Sequence, residues 1–129
     1  MKIASFDDLL AAAAAQEQPQ RLLFAFSMAE AAPGHRGADA PQTLIPVMCA
    51  DKAPEEVTSF AQLAGEAADI GAQWDMVMVS ALSGAAGTQP PAGTVEQALR
   101  RMLRAIQDGQ LDWMLAFDRQ GQLLHAQPA

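Results

Sequence analysis

The chain has 129 residues, half of them hydrophobic, which is the length of one ordinary domain that can bury about two thirds of its unfolded surface. Its formal net charge of −7 disfavours binding to nucleic acid or to an anionic membrane, because both surfaces attract clustered Lys and Arg. We therefore expect a single domain over residues 1–129 with neither of these partners.

The single cysteine, Cys49, excludes an internal disulfide framework and a four-cysteine zinc site, and it fits a reducing compartment. Near the start, Asp7 and Asp8 stand where a signal peptide needs apolar residues, and the apolar run 9–15 is too short to span a membrane. The sequence therefore predicts a cytoplasmic protein.

The first quarter of the chain predicts a helix followed by a strand. Ser5 and Asp8 match a capping box with Asp in place of the usual Glu, and apolar residues recur after them at helical spacing. This indicates a first helix over about residues 5–16. The compact apolar segment 21–28 then indicates a first strand.

A loop, an edge strand and a second helix are predicted next. Residues 29–42 contain two Pro and two Gly together with His35, Arg36 and Asp39, which indicates a loop. Residues 43–50 indicate a second strand, antiparallel to the first, in which Pro46 requires a sheet edge or a bulge. Pro54 suits the first position of a helix, which is expected to end near Gly71.

The central strand is predicted over residues 74–82, where both sides of a period-two pattern are apolar, as in a strand covered on two faces. Residues 83–93 indicate a flexible connection. Thr94 and Gln97 then match a capping box for a third helix that Gly109 closes. Segments 113–117 and 123–125 are predicted to form a hairpin around a turn that contains Gly121.

These elements predict an α/β fold with a mixed five-stranded sheet and about three helices in the order α-β-β-α-β-α-β-β. Right-handed crossovers would make the second, third and fourth strands parallel neighbours with the second and third helices on one face. The first helix, or a partner chain, would then cover the other face.

Several polar or reactive side chains follow predicted strand ends, where ligands commonly bind in α/β folds. Cys49 precedes a helix N-terminus, which can lower a thiol pKa, but neither histidine is near it in sequence, and a small core residue is the favoured interpretation. Asp51 is expected to satisfy backbone donors at the helix start, with ligand binding or an ion pair to Lys52 as alternatives. The candidate ligand-binding residues are Cys49, Asp51, Lys52, Ser80, Ser83 and Asp118.

The sequence predicts neither a cofactor nor a metal. The segment 83–88 could hold an anion with its backbone N–H groups, but it lacks the Gly-Lys-Ser/Thr ending of a phosphate-binding loop. Two His and one Cys without ligand spacing disfavour a metal site. Most of the seven Met fall inside apolar segments and are interpreted as core.

The third helix carries Arg100, Arg101 and Arg104 opposite its apolar stripe. On an acidic protein these three residues, the arginine face, form a candidate docking surface for an acidic partner or a second subunit. A solvated face is the alternative. Trp113 could anchor an interface, although a tryptophan in a strand is more often core.

A set of short segments resembles a small proteobacterial family of uncharacterised proteins. The segments are 5–10, 20–24, 46–52, 80–84 and 117–121. Members of that family sometimes carry the label of a ribonucleotide reductase alpha subunit. The residues contradict this label, because that enzyme needs several cysteines in a far larger barrel and this chain has only Cys49.

The hypothesis that follows is a non-catalytic cytoplasmic domain that binds a partner protein or itself as a homo-oligomer. No nucleophile with a base, and no metal-ligand pattern, is visible in the sequence. The alternative is a small-molecule binder or enzyme that uses a strand-end site around Cys49, Asp51 and Ser83, which would require these side chains to converge on one concavity.

Overall fold

A computed structural model describes residues 3–31, 42–71 and 73–124, and it contains the predicted helices and strands in the predicted order. In chain order they are α1 (Phe6–Ala14), β1 (Gln20–Ala31), β2 (Gln42–Lys52), a 3₁₀ turn (Pro54–Glu56), α2 (Phe60–Ile70), β3 (Met76–Ser83), α3 (Ala92–Gln107), β4 (Leu115–Asp118) and β5 (Leu123–Leu124). The predicted α/β class, with five strands and three helices, is confirmed. The predicted loop beyond Ala31 and the two histidines lie outside the described residues.

The five strands form one sheet in the order β2-β1-β3-β4-β5, with β3 in the centre as predicted. All four pairings are antiparallel, so the prediction of a mixed sheet with parallel neighbours is wrong. Two features explain the error. β1 lies between β2 and β3, which separates the two strands that run in the same direction. Residues 108–114 then return the chain to the level of Val79, where β4 starts.

β2 is an edge strand with a bulge, and the prediction made from Pro46 is therefore confirmed. Pro46 pairs with Ser27 and Met48 with Phe26, so the register shifts by one residue. Val47 is the extra residue of the bulge. A residue without an N–H is tolerated at such a place because no regular ladder bond is lost there.

The helices cover both faces of the sheet. α1 and α2 share one face, and α3 covers the other, so the prediction that α2 and α3 share a face is wrong. Alternation along β1 divides the two cores. The buried residues under α1 and α2 include Phe6, Leu9, Leu22, Phe24, Phe26, Leu63, Val77, Val79 and Phe117. Those under α3 include Leu23, Ala25, Met78, Val95, Met102, Ile106 and Met114.

The first helix begins as predicted, and the second begins later than predicted. The Ser5 side chain accepts a hydrogen bond from the Asp8 N–H. Pro54 starts only a 3₁₀ turn, and α2 begins at Phe60 with Ser59 as its N-cap. The prediction was wrong because the chain must leave the helical path to bury Val57, which is 5% exposed.

The third helix also begins at a different residue. α3 begins at Ala92 with Pro91 at the N-cap position and no side-chain cap, so the predicted capping box at Thr94 and Gln97 is wrong. Pro91 pre-sets an extended backbone at this position. The C-terminal end agrees with the prediction: Gly109 donates to Ile106 and Gln110 donates to Ala105, which is a Schellman motif.

Two tight turns lie in the remaining connections, one between β4 and β5 and one between β3 and α3. The Gly121 N–H donates to the Asp118 carbonyl, and Gly121 has a positive φ of 82°, as predicted for the β4–β5 hairpin. The connection after β3 was predicted to be flexible, but Ala85 and Thr88 exchange two backbone hydrogen bonds. Gly87, with a φ of 77°, permits that turn.

No helix in the described ranges is long and apolar enough to cross a membrane.

Candidate functional site

The strand-end residues predicted to bind a ligand lie at two ends of the sheet. β2 and β3 run in the same direction, so Asp51, Lys52 and Ser83 lie at one end. Asp118 pairs with Met76 at the start of β3 and therefore lies at the opposite end.

The residues at the shared end also face opposite sides of the sheet. Asp51 and Ser80 both pair with Leu23, which packs under α3. Lys52 pairs with Leu22, which packs under α1 and α2. Because paired residues share a face, the Asp51 and Lys52 side chains point to opposite faces, although both residues line one groove of about 130 Å³ beside α2 together with Cys49. Ser80, Ser83 and Asp118 do not line this groove, so the six residues do not converge on one concavity.

Most of these side chains already have partners within the chain. The Arg21 Nε donates to Asp51 Oδ2 at 2.8 Å, and Lys52 Nζ lies 2.9 Å from Glu66 Oε1. Ser83 Oγ accepts from Gln20 Nε2 at 3.1 Å. Three further bonds complete the set: the Ser80 hydroxyl donates to Met102 Sδ at 3.5 Å, and Asp118 Oδ1 accepts from the N–H groups of Gln120 and Gln122, each at 2.9 Å.

The backbone donor at the start of the 3₁₀ turn is satisfied by Glu56, not by Asp51. Glu56 Oε1 accepts from the Ala53 N–H at 2.7 Å, and it also lies 3.2 Å from Arg21. The expectation that Asp51 serves the helix start is therefore wrong. Asp51 instead forms an ion pair with Arg21 that fixes the start of β1 against the end of β2.

A cleft of about 350 Å³ lies beside this ion pair, between the strand ends and the first two turns of α3. We call it the strand-end cleft; it is lined by Arg21, Asp51, Gln89, Pro90, Ala92, Val95, Glu96 and Leu99. The Gln89 Nε2 donates to the Gln20 carbonyl at 3.0 Å, whereas its Oε1 is buried without a partner among the described residues. The sequence predicts a ligand role for Asp51 but not for Gln89, because no local motif marks a glutamine in a connection.

The outer side of β2 from Thr43 to Ala50, which we call the β2 edge, is the second candidate site. β2 pairs only with β1 in the part of the chain that the structure describes. No residue from Thr43 to Ala50 is charged. Ile45 and Val47 are 38% and 40% exposed. Long uncharged edges of this kind are uncommon, because proteins usually protect an edge with charged side chains.

Shallow grooves lie on both sides of the β2 edge. Towards α3, Leu103 and the segment from Pro46 to Cys49 line a groove of about 220 Å³. Towards α2, a groove of about 130 Å³ lies between Met48 and Ile70. Ile70 is 71% exposed, which makes it the most exposed large apolar side chain among the described residues. Exposed apolar side chains therefore lie along the β2 edge and beside it, and Asp51, Lys52 and Glu66 also line the groove towards α2.

Two predictions about the burial of individual residues are wrong. Cys49 was expected in the core, but it is exposed, because β2 lies at the sheet edge and has a strand on one side only. Trp113 was expected in a strand and in the core, but β4 begins at Leu115 and Trp113 is 54% exposed.

The arginine face is exposed, as its position opposite the apolar stripe predicted. Arg100 donates to Glu96 at 2.6 Å, with both side chains largely exposed, so this pair contributes little to stability. At about 100° per residue, Arg100 and Arg104 are about 40° apart on the helix, and Arg101 lies about 60° further round. The three cations therefore form a broad surface on the solvent side of α3.

Within residues 3–31, 42–71 and 73–124, no group of three or more His, Cys, Asp and Glu side chains is placed to hold a metal ion.

Comparison with protein-family models, with curated proteins and with solved structures finds no match for this chain.

Proposed function

We propose that this protein is a non-catalytic cytoplasmic interaction domain that binds a polypeptide strand along the β2 edge. The observation that carries the proposal is the combination of an uncharged edge strand with a mainly apolar groove on each side. The predicted ligand residues support an enzyme less well, because they lie at two ends of the sheet and on both of its faces.

Addition of a strand explains why the grooves lie on both sides. An incoming strand would hydrogen-bond to the free backbone groups of β2, and its side chains would alternate between the two faces. One set would enter the groove beside Leu103 and the other the groove beside Ile70. Backbone pairing supplies affinity in such complexes, and the alternating grooves supply selectivity.

The edge carries little protection against this kind of pairing. Pro46 and the bulge at Val47 are the usual devices that disturb an edge, but the commonest device, a charged side chain that points outwards, is absent from Thr43 to Ala50. The first charges are Asp51 and Lys52, and both form ion pairs within the chain. No described residue pairs with the outer side of the apolar middle of the strand, which we therefore assign to a partner.

Site-specific photo-crosslinking in the cells that make the protein tests this proposal. A photoreactive amino acid replaces Val47 on the β2 edge, Leu124 on the β5 edge or Arg104 on the arginine face. All three positions are at least partly exposed, which makes them matched reporters. We expect a covalent polypeptide adduct from position 47 and none from position 124. Adducts only from position 104 would favour the arginine face, and no adduct at any position would reject an interaction domain.

A second candidate function, the binding of a small polar molecule in the strand-end cleft, is favoured by one observation. Gln89 Oε1 is a buried acceptor without a partner among the described residues, and such an atom costs about 1–3 kcal/mol unless a donor reaches it. A ligand with an amine or amide group would supply this donor beside Asp51. A native mass spectrum of protein purified gently from its own host tests this function. A bound mass that is lost in Gln89→Leu supports it, and a spectrum of unliganded chain only rejects it.

A further inference from the structure

We infer that the strand that binds the β2 edge is β2 of a second copy of this chain, antiparallel and related by a two-fold axis close to Val47. This inference rests on the proposed function and names its partner. The two five-stranded sheets would become one continuous sheet, with α3 of each copy on one side and α1 and α2 of each copy on the other.

The charge pattern of β2 fits its own copy. In an antiparallel pair centred near Val47, the uncharged segment from Thr43 to Ala50 lies against the same segment of the other copy. Asp51 and Lys52 then lie opposite the uncharged start of the partner strand. No like charges lie opposite each other along the strand pair. Like charges in opposite positions would destabilise the sheet.

The apolar side chains beside β2 also lie near the proposed axis. Leu103 lines a groove together with the segment from Pro46 to Cys49, which is the middle of β2. On the other face, Glu66 pairs with Lys52. Since α2 carries the chain from the Lys52 end of the sheet to the Met76 end, Ile70 lies one turn further towards the middle of β2.

A two-fold interface fits this distribution, because residues near its axis meet their own copies and charged side chains there would repel each other. Ile70, Val47 and Leu103 are apolar and match themselves, whereas the ion pairs of Asp51 and Lys52 lie away from the axis. An unrelated partner would not require the apolar residues to centre on the middle of β2. Self-pairing therefore explains their position as well as their composition.

Light scattering and sedimentation over a wide concentration range test the inference with Val47→Lys and with a control, Leu124→Lys, that adds the same charge at the β5 edge. We expect the unmodified chain and the control to form dimers. Val47→Lys should weaken dimerisation about 100-fold or more, because two ammonium groups would meet near the axis in an apolar contact. Circular dichroism and thermal unfolding show whether each variant remains folded.

Cys49 provides a second measurement that does not depend on a destabilising variant. It is the only cysteine in the chain, so a short bis-maleimide can join two copies only through this residue. Cys49 lies two residues from the proposed axis, and we expect rapid cross-linking of the unmodified chain at concentrations where it is a dimer. Cross-linking no faster than that of Val47→Lys would overturn the two-fold geometry.

The remaining outcomes separate this inference from the proposed function. A chain that is monomeric at every concentration, but whose photoreactive residue at position 47 captures a different protein, overturns self-pairing and keeps the interaction domain. No adduct at position 47 rejects both self-pairing and strand binding along the β2 edge. A dimer that is lost in Leu124→Lys and kept in Val47→Lys assigns self-association to the β5 edge and overturns the inference.

Discussion

At the scale of single residues, Gly121 allows the turn of the last hairpin to pack closely against Phe60 of α2. Its φ is +82°, and a Cβ at this position would lie 2.8 Å from Phe60 Cγ. The Phe60 ring cannot move easily, because it packs edge-on against Phe6 with ring centroids 5.1 Å apart. Gly121→Ala should therefore combine backbone strain with overpacking and lower the free energy of unfolding by about 2–4 kcal/mol, measured by urea denaturation.

Two other glycines separate these contributions. Gly71 has a φ of +86° with open space around it, so Gly71→Ala should cost only the strain, about 1–2 kcal/mol. Gly65 lies inside α2 with nothing within 4 Å and no positive φ, so Gly65→Ala should increase stability by about 0.5–1 kcal/mol. Equal losses in Gly121→Ala and Gly71→Ala would show that contact with Phe60 contributes nothing.

At the scale of elements, the two positions where the helix starts differ from prediction provide a matched test. The Ser59 side chain accepts from the Gln62 N–H at 3.1 Å, whereas Thr94 lies inside α3 beyond its N-cap, Pro91. Ser59→Ala should lower the free energy of unfolding by about 1 kcal/mol. Thr94→Ala should leave it unchanged or raise it slightly, because Ala has the higher helix propensity. The reverse result in urea denaturation would restore the predicted capping box.

Local chemistry predicted which elements exist better than where they begin. Ser5, Gly71 and Gly109 act where their residue types indicated, because caps depend on neighbours within one turn of helix. The predicted start of α2 was wrong because two segments have good helix-start signals. These are Pro54 with its two glutamates, and Ser59 with Gln62. Only the tertiary burial of Val57 decides between them.

At the scale of the whole molecule, the sequence predicted the β1–β2 and β4–β5 pairings but not the pairing of β3 with β1 and β4. The insertion of β1 between β2 and β3 depends on contacts between segments about 50 residues apart in sequence, and no local pattern records them. The prediction of one ligand site at the strand ends was wrong in part for a reason visible in the sequence. Consecutive residues of a strand face opposite sides, which separates the side chains of Asp51 and Lys52. The position of Gln89 against β1 required the fold itself.

The dependence of self-association on salt distinguishes the β2 edge from the arginine face. Each copy has a net charge of −7, so two copies repel each other, while the contact at the β2 edge is uncharged. Added salt screens the repulsion within about 10 Å at 0.1 M and should tighten a dimer formed through this edge. An acidic partner bound to Arg100, Arg101 and Arg104 would instead dissociate as salt rises, because screening weakens that attraction. Sedimentation equilibrium at low and high salt measures whether the dimer affinity rises or falls with salt. A dimer that weakens with salt would contradict pairing through β2.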